Sequence, residues 1–276
     1  MNSFSADSPP RYDPSRHPKP AAPTSGRGNN QGFEGLTASP DGKTLYVLSQ
    51  SALYQEGGNS TSTRRHARFF VYSVQRHSTE LKAEYVVPLP LYKNAANQTR
   101  VASQSEIYYI SDTQFLVLSR DSGAGHGLPV SKSVYRQLDV IDISKATNIN
   151  TAEYNAATGA IASTTGVLKP GIDATKYCSW LDFNLNSQLN KFGAHNGGAQ
   201  DAGLLNEKWE SIAIAPVNGK GDDGEFYIFS FSDNDFVTQH GFMKGGKLPY
   251  ADSSGFNLDN QMLVFKVTLP KGTRPI

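Results

Sequence analysis

Asn206-Glu207-Lys208-Trp209-Glu210-Ser211-Ile212-Ala213-Ile214-Ala215-Pro216 leads, through Asp222-Asp223-Gly224, into Glu225-Phe226-Tyr227-Ile228-Phe229-Ser230-Phe231-Ser232-Asp233-Asn234-Asp235-Phe236. The first part alternates apolar with small or polar residues, the period of a half-buried strand. Asp222-Asp223-Gly224 is a turn cluster, because Gly supplies positive φ and Asp caps its own backbone. The second apolar run is aromatic enough for a central strand. It ends in four oxygen-bearing side chains, Ser232 to Asp235, a chemistry that suits a hard cation.

The same order of parts recurs upstream. Gly32-Phe33-Glu34-Gly35-Leu36-Thr37-Ala38, a Ser39-Pro40-Asp41-Gly42 turn and Thr44 to Gln50 form one pair of strands. Arg68 to Val74 and Glu84 to Leu89 complete a four-strand unit. A second unit starts at Ser105-Glu106-Ile107-Tyr108-Tyr109-Ile110, continues through Gln114 to Asp121, and resumes after a glycine-rich loop (Ser122 to Gly127) at Ser133 to Ile143. Residues 144–205 read as a long polar insertion with one element near Trp180 to Leu185. The opening stretch starts the third unit, whose third strand is Gln261 to Leu269. Repeated four-stranded antiparallel units predict an all-β fold, a β-propeller with about three blades present. A single β-sandwich is the plainer alternative. The alternation predicts core positions at Phe33, Leu45, Val47, Phe115, Val117, Trp209, Tyr227 and Phe229.

Aligned on this pattern, Glu34, Glu106 and Glu210 fall at equivalent points of the first strands, and Arg120, Asp121, Asp233 and Asp235 at the adjoining strand ends. Carboxylates facing one another across a channel repel unless a counter-charge is present. Calcium would supply it, with Glu34, Glu106, Glu210, Asp121, Asp233 and Asp235 as ligands, and would polarise a water. The competing reading is that each Glu caps backbone N–H groups or pairs with Arg120 or Lys208.

The 276 residues hold 38% hydrophobic and 11% aromatic side chains, enough for a packed core. With 26 basic against 25 acidic residues, no basic field recommends nucleic acid or an anionic membrane as partner. No apolar run is long enough to span a bilayer. One cysteine, Cys178, excludes an internal disulfide and a multi-cysteine zinc site. Residues 1–28 hold six of the fifteen prolines and read as a linker or arm, with the folded region at 29–276. Met1 to Pro10 has no apolar segment of the signal-peptide kind. Asn59-Ser60-Thr61 and Asn97-Gln98-Thr99 would accept glycans in a secreted chain.

Several motifs are rejected. Asp233-Asn234-Asp235 starts like an EF-hand loop, but Val237 stands where a ligand belongs. Gly241 to Lys247 spaces like a phosphate loop, but Leu248 replaces the Ser or Thr that binds magnesium. Neither G-x-S-x-G nor H-E-x-x-H occurs. His126 and His195 read as loop histidines.

The motifs Gly32 to Gln50, Ser105 to Asp121 and Lys208 to Phe236 resemble, in order, those of the phytase-like propeller family, also described by an esterase-like activity of phytase. The segments Thr238 to Phe242 and Leu258 to Phe265 resemble its fungal branch. The resemblance implies a six-bladed propeller, of which this chain would be a C-terminal portion. It also implies an extracellular location and hydrolysis of phosphoric or related esters, with a small-molecule substrate. The family's motifs mark Glu34, Glu106, Glu210 and the Asp233 to Asp235 run without fixing their roles. The channel geometry makes Glu34, Glu106, Glu210 and Arg120 the candidate catalytic residues. A non-catalytic ligand- or partner-binding propeller is the second expectation.

Overall fold

The computed structural model describes residues 25–28, 30–123, 125–126, 130–221, 223–270, 273 and 275. Most of the expected arm, and Asp222 and Gly127 of the expected turns, lie outside them. At the arm's end Gly26 is tied down: its N–H donates to Gln55 Oε1 at 2.8 Å and its carbonyl accepts from Tyr54.

The fold is all-β and almost entirely antiparallel, and the described residues form no closed barrel or ring. Four strands, β1 (Phe33–Ala38), β2 (Thr44–Ser49), β3 (His66–Gln75) and β4 (Ser78–Pro88), make the first sheet in chain order. A hairpin of β5 (Leu91–Lys93) and β6 (Thr99–Val101) follows. The second sheet is the meander β7 (Ser103–Tyr109), β8 (Gln114–Arg120), β9 (Arg136–Asp142) and β10 (Lys176–Asp182). The third contains β11 (Trp209–Pro216), β12 (Glu225–Ser232) and β15 (Met262–Thr268), with the hairpin β13 (Gly241–Met243) and β14 (Leu248–Tyr250) inserted before its last strand. Gly245 and Gly246, both at positive φ, turn that hairpin, so the phosphate-loop spacing is a β-turn.

The second sheet is packed between the other two. On one side Phe115, Val117, Ile107 and Ile141 meet Tyr46, Leu48, Phe69 and Val87. On the other, Leu116, Leu118 and Leu138 meet Trp209, Phe226, Ile228 and Val267. Burial on both faces explains why β8 reads as an unbroken apolar run rather than an alternating one. β12 is covered on one face only. Phe226, Ile228 and Ser230 point inward, while Tyr227 and Phe231 are exposed. Tyr227 and Phe33 therefore do not belong to the core as expected, and Leu45 and Phe229 are half-buried. Alternation fixed the strand at Tyr227 but assigned the wrong face to the interior. Phe33, 48% exposed, covers Phe70 edge-on at 5.3 Å.

The polar insertion is more ordered than its composition suggests. Ile149, Ile161, Ala162 and Ile172 form a small core against Val86 of β4, and β10 closes the second sheet.

Candidate functional site

The first strands of the three sheets share one irregularity. β1 pairs with β2 at Phe33↔Ser49 and Gly35↔Leu48, with Glu34 left between. β7 pairs with β8 at Gln104↔Ser119 and Glu106↔Leu118, with Ser105 between. β11 pairs with β12 at Trp209↔Ser232 and Ser211↔Phe231, with Glu210 between. Each is an extra residue in one strand, and each is fixed opposite a serine of the partner strand. The structural equivalents are therefore Glu34, Ser105 and Glu210. Glu106 lies one residue further on, matched with Gly35 and Ser211. This corrects the sequence alignment of the three glutamates, because a one-residue slip moves a side chain to the other face.

The three strands lie side by side, β1 against β7 and β7 against β11. Gly35 allows the first approach: a Cβ there would meet Ile107 Cγ1 at 3.0 Å and Gln104 Oε1 at 2.9 Å. Glu106 fastens it. Its Oε1 accepts from Ile107 N at 2.9 Å and from Leu36 N of β1 at 3.4 Å. Burial raises the Glu106 carboxyl above its ordinary range, partly offset by those two N–H donors.

Arg120 joins the second and third sheets. Its Nε donates to Ser105 Oγ at 3.0 Å, Nη1 donates to the Asp121 carbonyl at 3.1 Å, and Nη2 pairs with Glu210 Oε1. Its side chain is almost wholly buried, so the fork is held in one orientation. Glu34 is within electrostatic reach of Glu210, Arg120 and Lys208. Glu34 is solvent-exposed, but desolvation by the surrounding strands, and then the charge of Glu210, push its carboxyl up. The two cations pull the other way. Lys208 also pairs with Asp235 at 2.5 Å. The bulge positions thus bring Glu34, Ser105, Glu210 and Arg120 together, with Glu106 clamping the floor.

The expected acidic strand ends do other work. Asp121 is 1% exposed and takes four bonds, from Gly123 N, Ser133 Oγ, Val134 N and Tyr135 N, at 2.6–3.0 Å. It organises the 121–135 loop. Asp233 Oδ1 accepts from Asp235 N at 2.9 Å, and Asn234 Oδ1 from Phe236 N at 3.1 Å, in a turn where Asp235 and Phe236 have positive φ. Among the described residues no group of three or more His, Cys, Asp or Glu is placed to hold a metal ion. Of the carboxylates expected to share calcium, Glu210 pairs with Arg120 and Asp235 with Lys208. Glu106 accepts from backbone N–H groups, and Asp121 and Asp233 accept from N–H or O–H groups, while Glu34 feels the charges of Arg120 and Lys208. The donors are spent on other partners and are not gathered for a cation.

Ser105 was not singled out in the sequence, and Lys208 was named only as a possible partner of a glutamate. The signal for Ser105 was available in Ser49, Ser119 and Ser232, which lie at or one residue before the ends of the second strands and mark the register. His126 Nε2 lies 2.6 Å from the Leu204 carbonyl, and His195 pairs with Asp201 at 2.9 Å, so both histidines serve loops.

Comparison with known proteins adds a name to the pattern. A family model described as "Phytase-like: Esterase-like activity of phytase" matches residues 5–236. A protein of Arthroderma benhamiae called an uncharacterized secreted protein is 50% identical over 253 residues. That match takes in 87% of this chain and 49% of the relative, so the chain spans about half the relative's length. No solved structure matches.

Proposed function

Because the chain belongs to the phytase-like family, we propose that it is part of an extracellular hydrolase of phosphoric or related esters, working at the Glu34–Glu210–Arg120 cluster. The observation that carries this is the raised Glu34 carboxyl beside a guanidinium fixed by Ser105 and Glu210. The three sheets are read as successive blades of a propeller, their first strands lining its channel. The location follows the relative's description as secreted.

In this reading Arg120 holds the non-bridging oxygens of the ester, and the fork geometry suits two of them. Glu210 is a positioning residue for Arg120, and Glu106 for the strand that carries the bulge. Water adds to the phosphoryl or acyl centre and the ester bond to the leaving oxygen breaks. Glu34, protonated, gives its proton to that oxygen, and the added water's surplus proton returns to the Glu34 carboxylate. The products are the alcohol and the free acid. No step passes through calcium.

The test is hydrolysis of alkyl and p-nitrophenyl phosphates and of p-nitrophenyl acetate, in calcium and in chelator. Glu34→Gln is expected to lower kcat for the alkyl ester by about 10²–10⁴-fold. The p-nitrophenyl ester should lose less, since its leaving group needs little protonation. The rate should also fall as pH rises through the raised Glu34 pKa, because the acid form does the work. Equal losses on both esters would remove Glu34 as the acid. Activity that chelator abolishes and calcium restores would overturn the metal-free route.

One observation favours a second reading, a non-catalytic binding propeller. Glu106 and Glu210 are already satisfied inside the protein by N–H groups and Arg120. Inactivity toward every ester tried, with ligand binding retained, would establish it.

A further inference from the structure

The bulges relate the three sheets position by position. Leu48, Leu118 and Phe231 stand opposite Gly35, Glu106 and Ser211. Two residues earlier on the same face come Tyr46, Leu116 and Phe229. Tyr46 and Leu48 pack on the second sheet, and Leu116 and Leu118 pack on the third. This is the trailing face of each sheet. In the third sheet it is bare. Phe231 is 43% exposed where Leu48 and Leu118 are fully buried, and Phe229 is half-buried. Their β15 partners, Met262 and Val264, are exposed as well.

The opposite, leading face gives the complement. Ile107 and Phe115 of the second sheet pack on the first, and Ile212 and Ile228 of the third pack on the second. The matching residues of the first sheet are Leu36 and Leu45. Leu36 is 58% exposed where Ile107 is buried, and Leu45 is half-buried where Phe115 and Ile228 are fully buried. Phe33, exposed, matches the fully buried Trp209.

We infer that the trailing face of the third sheet is an interface for the leading face of the first sheet in a second copy of this chain. The assignment rests on these registers and exposures, not on the hydrolytic reading.

The face itself is the first argument. A solvated sheet face carries polar side chains. Here two cross-strand pairs, Phe229 with Val264 and Phe231 with Met262, set four apolar side chains together with no charge among them. Such a patch marks a surface that another body covers.

Complementarity is the second. Inside the chain a trailing face is packed twice, and both times on a leading face. A second copy offers that same leading face, with Leu36 and Leu45 at the positions that make the contact within the chain. The contact joins unlike surfaces, so it is heterologous. A net charge of +1 opposes the approach of two copies very little. The match to the Arthroderma protein covers 49% of that protein, so two copies bring about as much polypeptide as one relative.

The experiment is light scattering coupled to size exclusion at rising micromolar concentration. The mass is expected to climb from 30.0 kDa to twice that or beyond. Phe231→Lys on the trailing face and Leu36→Lys on the leading face should each weaken association by at least about tenfold. Both side chains are exposed, so far-ultraviolet circular dichroism should not change. Val264→Lys and Leu45→Lys repeat the two arms on neighbouring strands should either first variant fail to fold. Mixed one to one, a trailing-face and a leading-face variant should associate again, because each keeps the face the other has lost. A chain that stays at the monomer mass, variants that associate as well as the parent, or a mixture that does not recover would overturn the assignment. A chain that is monomeric alone, yet binds the part of the Arthroderma protein outside the match and loses it in Phe231→Lys, would give the face to that polypeptide and overturn the second copy.

Discussion

Arg68→Ala is expected to destabilise the protein by about 3–5 kcal/mol, because it strips the partner from two buried carboxylates at once. Arg68 lies on β3 with its side chain 1% exposed, and Glu56 and Glu84 are both fully buried. Its Nη2 pairs with Glu56 Oε1, and its Nη1 pairs with Glu84 Oε1 at 2.7 Å. The same group reaches the insertion: Nη1 donates to the Tyr154 carbonyl at 3.3 Å, and Glu56 Oε1 accepts from Ile161 N at 3.0 Å. The triad thus pins residues 154–161 onto the first sheet. Urea unfolding of the variant measures the loss, and a loss under about 1 kcal/mol would mean that water relieves both acids.

Among the described residues the group holds two acids to one cation, and Glu84 Oε2 has no hydrogen-bond partner there. Glu84→Gln should accordingly cost far less than Arg68→Ala, since one balanced pair remains. Burial raises the Glu84 carboxyl, with Arg68 opposing. On acidification the folded chain therefore takes up this proton before the unfolded chain does. Stability from this group rises as pH falls through the raised value toward the ordinary Glu range. Most paired carboxylates behave in the opposite sense. Glu84→Gln should remove that acid-side gain, which unfolding measured across the pH range would show.

Much of the sheet order was legible before any coordinates. Turn chemistry at Pro40-Asp41-Gly42, alternation along Trp209 to Ala215, and the apolar run of β8 each constrain local backbone directly. What sequence periodicity cannot supply is the layer beyond the sheet. Tyr227 alternates as correctly as Phe226, and only the absence of a packed neighbour on its side leaves it exposed. The site shows the same limit at finer grain. Glu34 and Glu210 were aligned by the order of strands and turns, and the register places both at the bulge. Glu106 was misaligned because Ser105 takes the bulge in the second unit, and a bulge leaves no trace in hydrophobic pattern. The acidic strand ends misled for another reason. Asp and Asn cap turns with the same oxygens that bind cations, and Asp121 and Asp233 are capping residues here. The first half of β4 is mostly polar, and the two short hairpins have strands of three residues, too short to show alternation.

Phe115→Ala tests the layered packing itself, and it too is expected to cost about 3–5 kcal/mol. Phe115 is fully buried on β8, the central layer. Its ring lies 4.6 Å from Tyr46, 4.9 Å from Phe69 and 5.9 Å from Tyr109, so one truncation empties the meeting point of the first two sheets. The neighbours sit on paired strands and cannot close the gap without shifting the ladders that hold β2 to β3 and β7 to β8. The matching change on the opposite kind of position is Tyr227→Ala, with the side chain on the exposed face of β12, and it should cost under about 1 kcal/mol. A two-state unfolding transition should move substantially for the first variant and little for the second. If the two losses were equal, the face assignment of β12 would be wrong. If Phe115→Ala lowered stability by less than about 1 kcal/mol, the first and second sheets would not be packed through this ring cluster.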